Sequence, residues 1–164
     1  MHERKAPRWA LWLSVSAGLV LCDQLVKLLI RDKLAPTQPL HVTPFFDLVL
    51  IYNPGAAFSF LSTAAGWQRS LLIGIALAAS MLILYLLRKH AGERLFCFGL
   101  SLILGGAIGN VVDRVQFGAV VDFLHFHIGQ HYWPAFNVAD SAITCGAAVL
   151  IWDSLRRSKA GSSD

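Results

Sequence analysis

The stretch WQRSLLIGIALAASMLILYLLRKHAGER, Trp67 to Arg94, decides the architecture. Between Trp67 and Leu87 only Arg69 carries a charge, and Leu, Ile and Ala dominate. At about 1.5 Å of rise per residue, a helix of this length crosses a hydrocarbon layer about 30 Å thick. Arg88, Lys89 and Arg94 then stop the run, and a second apolar segment begins at once. Two spans joined by a short basic link form a membrane hairpin.

Working outward, apolar runs at 9–30, 67–87, 95–113 and 137–155 give four spans. The composition agrees: 164 residues, 55% hydrophobic and 15% charged, with mean hydropathy +0.56, hold more apolar surface than one small soluble core can hide. Arg4, Lys5 and Arg8 ahead of the first run resemble the start of a signal peptide. The run's length and three further spans favour an uncleaved helix. Residues 1–157 are expected to form a single membrane domain, and 158–164 a disordered tail.

Nine of the 14 Lys and Arg (Arg4, Lys5, Arg8, Arg88, Lys89, Arg94, Arg156, Arg157 and Lys159) fall on one side of this path. By the positive-inside rule that side is cytoplasmic and holds both termini. The +4 charge is therefore topological, and no basic stripe points to nucleic acid. The periplasmic side carries connections at 31–66 and 113–137. The first is punctuated by Pro36, Pro39, Pro44 and Pro54 and holds β-prone runs at 40–43 and 45–52, then a turn at Asn53-Pro54-Gly55. The expected fold is membrane all-α: four transmembrane helices with a small β-rich cradle and loop on the periplasmic face. Three cysteines, Cys22, Cys97 and Cys145, each alone in an apolar stretch, argue against a disulfide framework or thiolate metal site.

A charge at the bilayer centre costs at least about 2.5–3.5 kcal/mol, so polar residues within spans are candidate functional groups. Here they gather at the outer span ends. Asp23 and Lys27 lie at i and i+4, on one helix face where they can pair. Lys27 is close enough to the interface to snorkel. Gly105 and Gly109 give the GxxxG spacing that admits a neighbouring helix. Asn110, Asp113 and Arg114 follow on one face, with Asn110 in need of a partner in hydrocarbon. Asp122 stands among Val120, Val121, Phe123 and Leu124, unlike a solvated loop acid. Asn137-Val138-Ala139-Asp140 opens span four as a capping pattern, which is compatible with a second role.

His125 and His127 share a face in a strand and offer, with Asp122, a metal set. The surrounding Phe123, Phe126, Tyr132 and Trp133 favour an interfacial aromatic belt instead, and no metal is assigned. Neither an HExxH motif nor a nucleophile elbow occurs, so any chemistry falls to carboxylates.

In chain order, Asp23-Gln-x-x-Lys27, Asn53-Pro-Gly-Ala-Ala-Phe58, Gly109-Asn110-x-x-Asp113-Arg114, Val121-Asp122-Phe123 and Phe136-Asn137-x-Ala139-Asp140-Ser141 resemble the lipoprotein signal peptidase (signal peptidase II) family. The likeness spans nearly the whole chain outside its termini. It implies an intramembrane aspartyl endopeptidase of the bacterial inner membrane that needs no cofactor. The implied substrate is a prolipoprotein whose lipobox cysteine carries diacylglycerol, cut just before that cysteine. The resemblance implies Asp122 and Asp140 as the catalytic pair. Asp23, Lys27, Asn53, Gly55, Asn110, Asp113, Arg114, Asn137 and Ala139 would bind substrate or support the site. Membrane lipid and globomycin-like cyclic peptide inhibitors are the other implied partners.

Two carboxylates sharing one proton can activate a water and protonate the leaving nitrogen. Arg114 is expected to anchor carboxylates or a substrate carbonyl, Asn53 to donate to the peptide, and residues 40–60 to hold it by strand addition. The alternative is a small proton-coupled transporter, since buried acids also mark ion paths. That reading expects inverted repeats or a polar path to the cytoplasmic side.

Overall fold

The structure, a computed structural model, describes residues 8–35, 38–55 and 66–161. Helices α1 (Arg8–Lys33), α2 (Trp67–Lys89), α3 (Arg94–Phe117) and α4 (Val138–Gly161) alternate with strands β1 (Leu40–Thr43), β2 (Phe46–Asn53), β3 (Val120–Ile128) and β4 (His131–Tyr132). All four helices are long and apolar enough to cross a membrane. Each outlasts its apolar run. The α3 helix passes Asp113 and stops only at Gly118, whose left-handed φ of 75° lets its N–H close on Arg114 O at 3.1 Å. It can do so because Asp113 and Arg114, 0% and 9% exposed, are buried in the bundle and do not end it in water. Likewise α4 continues to Gly161, so the stretch expected to be a disordered tail is helical over 158–161. Arg4, Lys5, Pro36, the Ala56 to Phe58 part of the second motif, residues 59–60 of the expected cradle and residues 162–164 lie outside the described residues.

The hub of the bundle is α3, which packs on α1, α2 and α4. Glycines set these approaches. A Cβ at Gly105 would meet Leu19 Cδ2 at 2.7 Å and Ser16 O at 2.9 Å, so the GxxxG face receives α1. A Cβ at Gly106 would lie 2.3 Å from Ala139 O, and Gly99 and Gly146 each crowd the other's carbonyl, so a second small-residue seam receives α4. At the end away from the strands, Trp12 Nε1 donates to Ala91 O at 3.2 Å and Arg157 pairs with Glu93. The α2–α3 link thereby meets the start of α1 and the end of α4.

The strands form one antiparallel sheet in the order β1-β2-β3-β4. Ile30, Leu50, Val121 and Phe123 form a buried cluster that seats it on the ends of α1 and α3. Beyond β4, Phe136 exchanges backbone hydrogen bonds with Leu124, Phe136 N to Leu124 O at 3.0 Å and Leu124 N to Phe136 O at 2.8 Å. This pairing carries the chain back along β3 and delivers the first turn of α4 beside Asp122.

The set of Asp122, His125 and His127 is divided between different partners. His125 and His127 both lie against Tyr132, each ring 5.1 Å from it, whereas Asp122 is held by Asn137 and Asn53. His127 Nε2 instead lies 3.4 Å from Asp47 Oδ2, and His41 Nδ1 lies 2.7 Å from Asp47 Oδ1. The His41 contact, chiefly, holds the Asp47 carboxyl below its usual range against the opposing effect of burial. Among the described residues no three His, Cys, Asp or Glu form a group able to hold a metal.

Candidate active site

Asp122 comes from the buried half of β3 and Asp140 from the first turn of α4, and both line one cavity of about 810 Å³ with Asn53, Asn110 and Arg114. Its rim is aromatic and apolar, including Trp133 and Phe136, which it shares with an adjoining aromatic groove of about 630 Å³.

Three carboxamides hold the two acids. Asn137 Nδ2 donates to Asp122 Oδ1 at 2.7 Å, and Asn53 Nδ2 to Asp122 Oδ2 at 3.1 Å. Asn110 Nδ2 donates to Asp140 Oδ1 at 2.8 Å. Asn137 Oδ1 also accepts the Asp140 N–H at 2.9 Å, so the expected cap is present and the capping residue grips the other acid with its amide nitrogen. Asp122 is 2% exposed. Burial first, then the negative charge of Asp140, push its carboxyl up to about 7, against the Asn53 and Asn137 hydrogen bonds and the charge of Lys27. Such a pair favours holding one proton between two acids.

Around this core, Asn53 Oδ1 accepts the Gly55 N–H at 3.0 Å, which makes the expected turn. Arg114 Nη2 donates to Gly55 O at 2.9 Å and Nη1 to Asn110 O at 3.3 Å. Its hydrogen bonds thus run to backbone carbonyls and not to a carboxylate, although its charge lies within reach of Asp140, Asp122 and Asp113. Asn53, expected to donate to a peptide, gives one amide hydrogen bond to Asp122.

Lys27 does not snorkel. It is 2% exposed and ion-paired to Asp23 Oδ2 at 2.8 Å and Asp113 Oδ2 at 2.7 Å. The snorkelling expectation failed because the second carboxylate comes from α3, 86 positions along the chain. Removing one partner of such a buried pair costs on the order of 3–5 kcal/mol. Asp23 and Asp113 are thereby neutralised in part, which leaves Asp122 and Asp140 as the acids that line the cavity. The Ala139 N–H donates to Asp23 Oδ1 at 2.9 Å.

All eleven residues singled out in the sequence thus fall in one connected polar network. Gln24 was missed as a site residue. Its Nε2 contacts Asp113 Oδ1 at 2.9 Å, Gly109 O at 3.2 Å and Asp23 Oδ2 at 3.2 Å. An amide within an apolar span, next to Asp23, was the signal available. Gly106 was also missed, and its seven-residue spacing from Gly99 was the clue.

Comparison with known proteins adds a lineage to this geometry. A family model described as signal peptidase (SPase) II matches residues 15–156. The chain is 56% identical over 146 residues to the lipoprotein signal peptidase of Janthinobacterium sp. (strain Marseille), covering 89% of this chain and 88% of that protein. It is 55% identical over 147 residues to the lipoprotein signal peptidase of Cupriavidus taiwanensis, covering 90% and 84%. A bacterial membrane enzyme solved by the in meso method at 2.3 Å superposes with a TM-score of 0.81 and 29% identity, over 91% of this chain and 90% of that one.

Proposed function

The chain belongs to the signal peptidase II family, and from that premise we infer an intramembrane aspartic endopeptidase that removes the signal peptide from diacylglyceryl-modified prolipoproteins, with Asp122 and Asp140 as its catalytic pair. The observation that carries this reading is the single cavity lined by both acids, with an amide donor on each. One acid takes a proton from the attacking water while the other gives its proton to the departing nitrogen. The apolar rim suits the diacylglyceryl chains. The β2 exit at Asn53 to Gly55, tied down by Arg114, suits an extended segment ahead of the lipidated cysteine. Globomycin-like cyclic peptides would occupy the same cavity.

The protein is a multi-pass membrane protein of four apolar helices. The cation asymmetry supports cytoplasmic termini and a cavity toward the periplasm, within one peptidase domain over 1–157. The transporter alternative draws no support from the relatives, all peptidases by name.

The direct test is the purified chain in lipid nanodiscs, given one precursor with and without diacylglycerol on its cysteine. Mass spectrometry should find the signal peptide released and a lipidated cysteine at the new terminus, only from the modified form. A lipidated precursor left intact overturns the reading.

The pH profile follows from the site. Because Asp122 holds its proton to about 7, kcat/KM should fall as pH rises through that value and the shared proton leaves. Asn53→Ala removes a donor that favours the ionised form. Its alkaline limb should therefore move upward, by up to roughly one pH unit. A limb that moves down, or stays put, contradicts the assignment of that limb to Asp122.

A further inference from the structure

Two backbone N–H groups lie immediately ahead of the two cavity acids, and each is held by a buried carboxylate from another element. Val121 N, preceding Asp122, donates to Asp113 Oδ2 at 3.0 Å. Ala139 N, preceding Asp140, donates to Asp23 Oδ1 at 2.9 Å. One ammonium joins these carboxylates: Lys27 Nζ lies 2.8 Å from Asp23 Oδ2 and 2.7 Å from Asp113 Oδ2. Lys27, Asp23 and Asp113 are 2%, 1% and 0% exposed.

We propose that Lys27 is a positioning residue: with Asp23 and Asp113 it forms a yoke that couples β3 to the first turn of α4 and fixes the separation of Asp122 and Asp140. This rests on those two acids being the catalytic pair. Asn137 ties the same two elements from the cavity side, through Asp122 Oδ1 at 2.7 Å and the Asp140 N–H at 2.9 Å, and the yoke ties them from the side of α1 and α3. Ala139 N belongs to the first helical turn, which has no intrahelical acceptor of its own. Val121 N is turned to α3. Without Lys27, two like carboxylates would be left buried beside each other, and their repulsion would part the two N–H groups they hold. Gln24 Nε2, within 3.2 Å of Asp23 Oδ2 and 2.9 Å of Asp113 Oδ1, braces the same joint. The lysine therefore touches neither acid's reacting oxygen, yet it sets where both stand.

The test uses the full chain in nanodiscs, with Lys27→Met, Lys27→Arg and Asp122→Asn compared on two readouts. Hydrogen exchange of peptides containing Val121 and Ala139 should quicken in Lys27→Met, with kcat down about a hundredfold and KM changed less than threefold. Lys27→Arg, which keeps the charge, should regain a large part of both. Unchanged exchange at both positions, or quickened exchange with unchanged kcat, overturns the yoke. Should Lys27→Met fail to accumulate, Asp113→Asn keeps an oxygen for Val121 while losing the charge that faces Lys27, and the same outcomes apply. Full activity of Asp122→Asn would sink the catalytic pair itself, while the exchange data still decide whether the joint exists.

Discussion

Asp122→Asn and Asp140→Asn each leave less than about a thousandth of the wild-type cleavage rate, since each removes one half of a proton exchange worth 10²–10⁴-fold and breaks the shared-proton pair. The two variants differ in stability. Asp122 accepts from Asn137 at one oxygen and from Asn53 at the other, so an asparagine there must set an NH₂ against one of two NH₂ donors. That unmet donor should cost about 1–3 kcal/mol. Asp140 accepts from Asn110 at Oδ1, and an asparagine can turn its oxygen to meet that donor. Asp140→Asn should therefore be the more stable of two inactive proteins. Cleavage assays with thermal unfolding in the same nanodiscs check both halves. Either variant turning over at the wild-type rate removes the pair from the mechanism.

Gly106→Ala should be the most damaging single-methyl addition in α3. Its Cβ would stand 2.3 Å from Ala139 O, a backbone atom that cannot swing aside, and roughly 1 Å short of ordinary contact. The first turn of α4 has to move by that amount, and Asp140 moves with it. A shift of about 1 Å in a catalytic group can cost about a hundredfold in kcat, and overpacking adds about 1–3 kcal/mol of destabilisation. Gly74→Ala, in α2 with nothing within 4 Å of its Cβ, is the matched control and should be neutral or slightly stabilising. Equal kcat in the two variants would show that α4 tolerates the displacement.

Much of this molecule is legible in its sequence because lipid imposes a simple code. The Trp67 to Leu87 run and the basic Arg88 to Arg94 link already require a hairpin, and polar residues at costly depth mark the site. What the sequence hides is who partners whom. Lys27 reads naturally with Asp23 one turn away, but Asp113 on another helix removes its route to the interface. Gly105 and Gly109 stand out as a motif, while the contact that places Asp140 is made by Gly106, between them. Asn137 looks like a helix cap and is one, yet only the Leu124–Phe136 pairing reveals that its other end reaches Asp122. The histidines next to Asp122 in the chain find Tyr132 and Asp47 as partners, while Asp122 is taken by Asn53 and Asn137, and neither pairing is written in the local sequence.

Among the described residues the side-chain donors on the two acids are amides, Asn53, Asn110 and Asn137, with no imidazole or further carboxyl group. Amides keep the same hydrogen-bonding pattern at every pH a bacterium meets. The direct grip on the two side chains is thus insulated from acid stress. If the two aspartates hold one proton in common, medium acidity can change that proton without rearranging the amides that grip them.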